Sequence, residues 1–332
     1  MTARVAINGF GRIGRLTLRA YLEHQNLPFQ VVAINELAPV PTSAHLLQFD
    51  SVHGRLKQSV SVSGEELMIG NHKIAMVHES DPAKLPWKDM GIDIVLECSG
   101  RFTKRDAAAK HLSAGAKRVF ISAPATDEDI TVVYGVNHKD VKAGHSIIAN
   151  GSCTTNCLVP VVVALQQAFG IVHGFVTTVH SYTADQRLVD TAHDDLQRAR
   201  AAAQNMVPAS TGAAKAVFKV LPELKGKLDG VAVRVPTANV SMIDLTAVVT
   251  RPVTIEEVNA ALVKAAAGMN GVMAVTDKPL VSSDFNHDPH SATVALGETK
   301  VVDGTFVRVL AWYDNEWGFV NRMIDVTSLL AA

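Results

Sequence analysis

Cysteine is scarce in this chain: Cys98, Cys153 and Cys157 are the only three among 332 residues. They form no secreted-type disulfide framework and match no zinc spacing, so a reducing compartment is expected, with no metal site. Whatever value these thiols have lies in reactivity. An excess of either charge is also missing, with 31 Lys+Arg against 32 Asp+Glu. No global field draws the molecule to nucleic acid or to an anionic membrane, and an anionic ligand has to meet a local site. Long apolar runs are absent too: the stretch from Leu158 to Leu165 is far short of the roughly 20 residues that span a bilayer. Met1-Thr2-Ala3-Arg4 leads directly into a short apolar segment that a glycine loop stops, so no leader is expected and a cytoplasmic enzyme is the default. Internal repeats and low-complexity segments are lacking as well.

What is present is length and rhythm. A chain of 332 residues suggests two domains at about 100–200 residues each. From Arg4 to about Asn150, short runs rich in β-branched residues (Val5-Ala6-Ile7, Val31-Val32-Ala33-Ile34, Ile94-Val95-Leu96, Val119-Phe120-Ile121) alternate with amphipathic stretches. That rhythm predicts a parallel sheet wrapped by helices. After Cys153 a buried-looking helix, Thr154 to Phe169, precedes longer strands with partial alternation, Gly230 to Arg234 and Val240 to Val249, which suit a mostly antiparallel sheet with one covered face. Gly318 to Leu330 reads as a helix with Phe319, Met323, Ile324 and Leu330 near one face, expected to pack back on the first domain. Between Ser181 and Met206 a polar run rich in arginine and aspartate shows neither period. Connections of that length are usually functional or disordered.

Gly9-Phe10-Gly11-Arg12-Ile13-Gly14 fits the GxGxxG pattern, which is weak alone. Its context strengthens it: a strand before, a helix from Arg12 to about His24 after, and a second strand ending in Asn35-Glu36, 22 residues beyond Gly14. The glycines let backbone approach a pyrophosphate, the helix N-terminus offers free amides and partial positive charge, and Glu36 accepts from ribose hydroxyls. The alternative is a glycine turn with no ligand.

Cys153 stands where an extended run ends and a helix begins, with Ser152 as the N-cap candidate. A thiol there feels the helix dipole, and its thiolate is expected to be favoured. Cys157, four residues on among Leu158 and Val159, reads as structural. His180 ends the run Val176-Thr177-Thr178-Val179 and is the candidate base, since a neutral imidazole takes and returns a proton near pH 7. A packed cysteine and a satisfied structural histidine are the competing readings of these two residues.

Five ordered motifs then become specific: Ile7-Asn8-Gly9-Phe10-Gly11-Arg12-Ile13-Gly14-Arg15, Ser152-Cys153-Thr154-Thr155-Asn156-Cys157, His180-Ser181-Tyr182-Thr183, Thr211-Gly212-Ala213-Ala214-Lys215 and Trp312-Tyr313-Asp314-Asn315-Glu316. With them the chain resembles the phosphorylating glyceraldehyde-3-phosphate dehydrogenase family from end to end. The resemblance implies an α/β fold: a Rossmann-type dinucleotide-binding domain, 1–151 plus 316–332, and an α+β catalytic domain on a mostly antiparallel sheet, 152–315, with an S-loop at 181–206. It implies Cys153 as the acylated nucleophile and His180 as its base. Thr183 and Arg234 would hold the substrate phosphate, and Arg198, Thr211 and Gly212 the attacking inorganic phosphate, with Ser152 and Thr154 sharing these contacts. Gly9, Gly11, Arg12, Ile13, Gly14, Glu36, Ser122 and Asn315 would bind NAD. A homotetramer whose S-loops reach a neighbour's cofactor is implied as well. The chemistry is aldehyde oxidation through a thioester that phosphate cleaves to an acyl phosphate.

The chain departs from the family at several points. Glu36 replaces the usual aspartate, keeping the carboxylate on a longer stem. Thr191-Ala192 stands where NAD-specific members usually show Leu-Pro, and such small pairs resemble members that admit NADP. A carboxylate repels a 2′-phosphate, so NAD is expected to be the better cofactor, with NADP admitted. Gly151 for alanine and Phe319 for tyrosine are expected to be tolerated. Asp284-Phe285-Asn286-His287-Asp288-Pro289-His290 and Asn35-Glu36-Leu37 also resemble erythrose-4-phosphate dehydrogenase, the alternative enzyme. A non-catalytic scaffold is the alternative of another class, and retention of Cys153, His180, both arginines and Asn315 argues against it.

Overall fold

The computed structural model describes residues 2–332. Contacts divide the chain into two compact units, Met1–Gly151 with Val320–Ala332, and Ser152–Phe319. No helix among the described residues is long and apolar enough to cross a membrane.

In the first unit, nine strands among the described residues form one sheet. Its order runs Ile130–Thr131, Ile147–Ala149, Arg118–Ile121, Ile94–Glu97, Ala3–Asn8, Phe29–Asn35, His72–Val77, Glu66–Ile69, Val60–Val62. From Ile130–Thr131 through His72–Val77 every pairing is parallel. The central strands are apolar throughout because helices and core cover both faces; Val5, Ala6, Ile7, Val95 and Leu96 are all fully buried. At one edge the sheet turns antiparallel, where Glu66–Ile69 pairs with both His72–Val77 and Val60–Val62. The parallel expectation needs this correction. These edge strands are three to six residues long and partly exposed, so they carry no run of buried residues to announce them.

Ala3–Asn8 lies between Phe29–Asn35, which follows it, and Ile94–Glu97, which the chain reaches after crossing over. Such a reversal of strand order opens a crevice at the carboxyl ends of the strands. The glycine loop fills that position and passes into the helix Arg12–Glu23, with Gly11 as N-cap and Leu16, Leu18 and Ala20 fully buried. Gly14 is the packing glycine: a Cβ there would stand 2.1 Å from the Gly9 carbonyl oxygen. The C-terminal helix Trp317–Ala331 contributes Val320, Met323, Ile324 and Val326 to this unit's interior, and Arg118 Nη1 donates to Leu330 O at 2.7 Å.

The second unit carries an eight-stranded sheet, ordered Val207–Ser210, Leu228–Val235, Ile171–Ser181, Ser241–Val249, Phe306–Tyr313, Ala292–Ala295, Met273–Thr276, with Lys300–Val302 also on Phe306–Tyr313. It is mostly antiparallel. Ile171–Ser181 with Leu228–Val235, and Met273–Thr276 with Ala292–Ala295, pair parallel. Ser241–Val249 alternates buried and half-buried positions along its length, so one face is covered. The helix Cys153–Phe169, buried from Thr154 to Leu165, packs on that sheet and on the helices Ala213–Val220 and Ile255–Gly268. The other face leaves Phe175, Val231 and Phe306 exposed.

The long loop after Ser181 is ordered by its own polar contacts. Arg200 Nε donates to Asp190 Oδ2 at 2.8 Å, Ala201 N to Asp190 Oδ1 at 2.9 Å and Ala202 N to Arg187 O at 2.9 Å.

Two glycines separate packing from backbone access. Gly14→Ala is expected to destabilise the first unit by about 1–3 kcal/mol, the range for overpacking. Gly11→Ala, whose Cβ meets nothing within 4 Å, is expected to leave stability within about 0.5 kcal/mol. Urea unfolding followed by far-ultraviolet circular dichroism compares the two; equal losses would mean that the close approach at Gly14 does not govern packing.

Candidate active site

Cys153 is the first residue of its helix. Ser152 caps that helix as expected, its Oγ accepting from Thr155 N at 3.0 Å. The chain enters through Gly151, whose φ of 65° lies in the left-handed region, and the half-buried thiol sits at the start of the helix. Ser152 Oγ is further engaged with Thr155 Oγ1 at 2.7 Å.

The thiol meets the imidazole that was its expected partner: Cys153 Sγ and His180 Nε2 are 3.4 Å apart. Strand pairing accounts for the rest of the arrangement. Parallel register sets His180 opposite Arg234, and side chains of paired residues share a sheet face. Arg234 Nη1 lies 2.6 Å from His180 Nδ1 and donates to Ser181 O at 3.1 Å, while Nδ1 itself is 2.7 Å from Ser181 O. Nδ1 has one role at a time. With its proton given to Ser181 O, Nε2 holds the lone pair that receives the thiol proton. With Arg234 donating to Nδ1, the proton is on Nε2 and points at sulfur.

Burial and the adjacent Arg234 cation hold His180 well below its ordinary value of 6.5, at about 3, so the imidazole is neutral near pH 7. Burial also pushes the Cys153 thiol up, against the pull of Arg234 and of the Thr154 amide and hydroxyl. Burial therefore works against the thiolate that the helix N-terminus favours, while Arg234 and the Thr154 donors work for it. Cys157 is fully buried and pushed up further by the same cause, in keeping with a structural role.

Tyr313 was not anticipated as a site residue. Its hydroxyl lies 2.9 Å from both Thr154 Oγ1 and Thr178 Oγ1, and its ring stands edge-on to the His180 ring at 6.0 Å. It sits in the Trp312–Glu316 motif, so the available signal was a tyrosine closing a buried strand. The hydroxyl of Thr154, expected to share phosphate contacts, is buried and lies against Tyr313 and the Cys153 thiol.

The other expected residues are less uniformly grouped. Thr183 is half-buried, and its amide donates to Gln186 Oε1 at 3.3 Å. Arg198 is close enough for its charge to act on Arg234, yet it is already paired with Asp185 and, at 3.3 Å, with Asp195. Thr211 and Gly212 follow the strand Val207–Ser210, in which Val207, not Ser210, is the partner of Arg234. Thr211 Oγ1 accepts from Ala213 N at 3.2 Å at the start of the helix Ala213–Val220. Asn315 Oδ1 accepts from Ser181 Oγ at 2.9 Å and Ser241 Oγ at 2.8 Å, which fixes the direction of its Nδ2 donor.

In the first unit a cleft of about 250 Å³ is lined by Gly9, Gly11, Glu36, Leu37, Ser99 and Phe102, among others. Gly9 has φ +89°, and a Cβ there would stand 2.6 Å from the Ser99 backbone. Two main-chain turns approach closely with amides at hand, the form that admits a pyrophosphate. Ile13 lies in the first turn of the helix. The Arg12 side chain pairs with Asp50, its Nη1 lying 2.5 Å from Oδ2. Burial raises Asp50, but the His53 amide, Arg12 and the Val52 amide outweigh it and hold the carboxyl at about 2. Glu36 Oε2 accepts from Phe10 N at 2.7 Å and Oε1 from Ala38 N at 3.2 Å, so part of its accepting capacity orders the loop. Ser122 N donates to Glu97 O at 3.0 Å, and the Ser122 side chain meets the Cys98 thiol.

Comparison with known proteins agrees with this architecture. Residues 3–105 match the family model described as glyceraldehyde 3-phosphate dehydrogenase, NAD binding domain, and residues 152–315 match its C-terminal domain. The chain is 57% identical over 326 residues to the glyceraldehyde-3-phosphate dehydrogenase of Xanthobacter flavus, covering 98% of this chain and 97% of that one. It is 55% identical to that of Zymomonas mobilis and 54% identical to that of Geobacillus stearothermophilus, each over 100% of this chain and 99% of the relative. With both domain models matched in order and more than half of all residues shared along the whole length, the chain belongs to the glyceraldehyde-3-phosphate dehydrogenase family.

Proposed function

We propose that the chain oxidises glyceraldehyde 3-phosphate to 1,3-bisphosphoglycerate, with NAD and inorganic phosphate, through a thioester on Cys153. The observation that carries this reading is the 3.4 Å contact between Sγ and His180 Nε2 with Arg234 against the far side of the ring. His180 takes the thiol proton as sulfur adds to the aldehyde carbon, forming the hemithioacetal. The imidazolium then lies beside the new oxygen, with the Cys153 amide as second donor. NAD, held by Gly9, Gly11, Ile13, Gly14 and Glu36, supplies the hydride acceptor. Inorganic phosphate finally attacks the thioester carbon, and sulfur leaves with a proton returned by His180.

Arg234 links substrate binding to this chemistry. A substrate phosphate paired with Arg234 neutralises the cation that depresses His180 and draws it from Nδ1, which restores the Nδ1–H to Ser181 O bond and frees Nε2 as base. Thr183 assists that phosphate. Arg198, Thr211, Gly212 and Ser152 serve the attacking phosphate, and Arg198 exchanges Asp185 for it. Asn315 and Ser122 position the cofactor.

Leu188 (82% exposed), Leu196 (82%) and Met206 (75%) on the long loop, and Phe175, Val231 and Phe306 on the open sheet face, are more apolar surface than one subunit needs, which supports a homotetramer. All three cysteines are free, which supports a cytoplasmic location.

Cys153→Ser is expected to lower kcat at least about 10³-fold, and His180→Asn about 10²–10⁴-fold. Assays of glyceraldehyde 3-phosphate and erythrose 4-phosphate, each with and without phosphate, check the substrate; faster oxidation of the four-carbon aldehyde would overturn it. NAD is expected to give a higher kcat/KM than NADP because Glu36 opposes a 2′-phosphate. Stability follows from His180 as well: above pH 6.5 neither folded nor unfolded chain binds this proton, and below it only the unfolded chain does, so stability is lost as pH falls from 6.5 toward 3. His180→Asn is expected to spare on the order of 2 kcal/mol of that loss by pH 5. Identical pH profiles of urea stability for the two proteins would contradict the buried neutral imidazole.

A further inference from the structure

Beneath the glycine loop the buried polar groups of the first unit join into one relay. Trp87 Nε1 donates to His111 Nδ1 at 3.0 Å. An indole nitrogen only donates, so Nδ1 carries the lone pair and the ring proton is on Nε2. That Nε2 lies 3.0 Å from Glu97 Oε2 and donates to it. Asn8 Nδ2 donates to the same oxygen at 2.6 Å, and the Ser99 amide and hydroxyl donate to Oε1 at 2.8 and 2.5 Å. Every one of these neighbours of the Glu97 carboxylate is a donor. Asn8 Oδ1 in turn accepts from Asn35 Nδ2 at 2.7 Å, and Asn35 is clamped to the Glu79 main chain by bonds of 2.8 and 2.9 Å.

The placement of this relay is what gives it meaning. Asn8, Asn35 and Glu97 end three adjacent central strands, and Asn8 is the register partner of both others. Each is followed at once by a residue lining the cleft: Gly9, Glu36, and Cys98 with Ser99. Glu97, His111 and Trp87 are at most 1% exposed. A buried charged group is a poor source of stability, since apolar replacement of similar volume is often neutral or better. The strand Ile94–Glu97 is otherwise apolar, so a carboxylate at its end calls for a reason other than packing.

We propose that Glu97, seated by His111 and Trp87, is the positioning residue of the cofactor cleft: it fixes the Asn8–Gly9 and Cys98–Ser99 turns at the separation a dinucleotide requires. The 2.6 Å that would separate a Gly9 Cβ from the Ser99 backbone measures how closely these turns are drawn together. The inference rests on the reading of this cleft as the NAD site.

Calorimetric titration of NAD into the cofactor-free enzyme, together with steady-state kinetics, tests it on Glu97→Gln, His111→Leu, His111→Gln and Trp87→Phe. A glutamine at 97 turns an N–H toward groups that all donate, so the Kd for NAD is expected to rise about ten- to hundredfold, as for a buried donor left unpaired. With NAD saturating, kcat and the KM for the aldehyde are expected to stay within about twofold, a split that a general loss of stability does not produce. His111→Leu is expected to weaken NAD binding similarly, and His111→Gln, whose amide still donates to Glu97, to recover most of it. Trp87→Phe keeps Glu97 itself intact and is expected to raise Kd about threefold, so the proposal stays testable where Glu97→Gln does not fold. An unchanged Kd in folded Glu97→Gln or Trp87→Phe, or a fall in kcat at unchanged Kd, overturns it. Parent enzyme that binds no NAD would overturn the cofactor reading instead.

Discussion

The pairing of Ile171–Ser181 with Leu228–Val235 is the constraint on which the catalytic chemistry depends. It is one of two parallel pairings in a sheet otherwise antiparallel, and it sets His180 and Arg234 side by side. A slip of one residue would turn His180 to the opposite face and separate it from Cys153. The helix that presents the thiol is held on that sheet by a stretch buried from Thr154 to Leu165, so the Sγ–Nε2 distance is set by packing rather than by a flexible loop. Tyr313 joins the two elements, its hydroxyl meeting Thr154 on the helix and Thr178 on the strand.

Electrostatics at this position oppose simple expectation. A helix N-terminus favours a thiolate, yet half-burial of Cys153 costs more than the N-terminus returns. His180, held neutral by burial and by Arg234, faces the thiol, and Arg234 lies against its Nδ1. The same cation is the proposed anchor of the substrate phosphate. In the proposed mechanism an anionic substrate that meets Arg234 switches this pair on, which suits an enzyme whose near-balanced charge provides no general attraction for anions.

Much of this was legible in the residues themselves. The glycine fingerprint, its flanking strand and helix, and the N-cap Ser152 follow from local rules that act over a few positions, and the helices Arg12–Glu23 and Cys153–Phe169 lie within a residue of their expected bounds. Less legible was the antiparallel edge from Val60 to Val77, made of strands too short and exposed to carry a burial pattern. Side-chain allegiance was least legible. Arg12 turns to Asp50, Thr154 to Tyr313 and Arg198 to Asp185, choices made by neighbours 38, 159 and 13 residues away in the chain.

Sequence alone determined the class of chemistry, because a cysteine at a strand–helix junction, a histidine at a strand end and a glycine loop after the first strand are local facts joined by ordered motifs. Only the tertiary structure decided the burial that depresses His180 and raises Cys153, the placement of Arg234 against Nδ1, and the seating of Glu97 among four donors. Those properties depend on burial and on distances of a few ångströms between residues far apart in the chain, and neither quantity is written in the order of the residues.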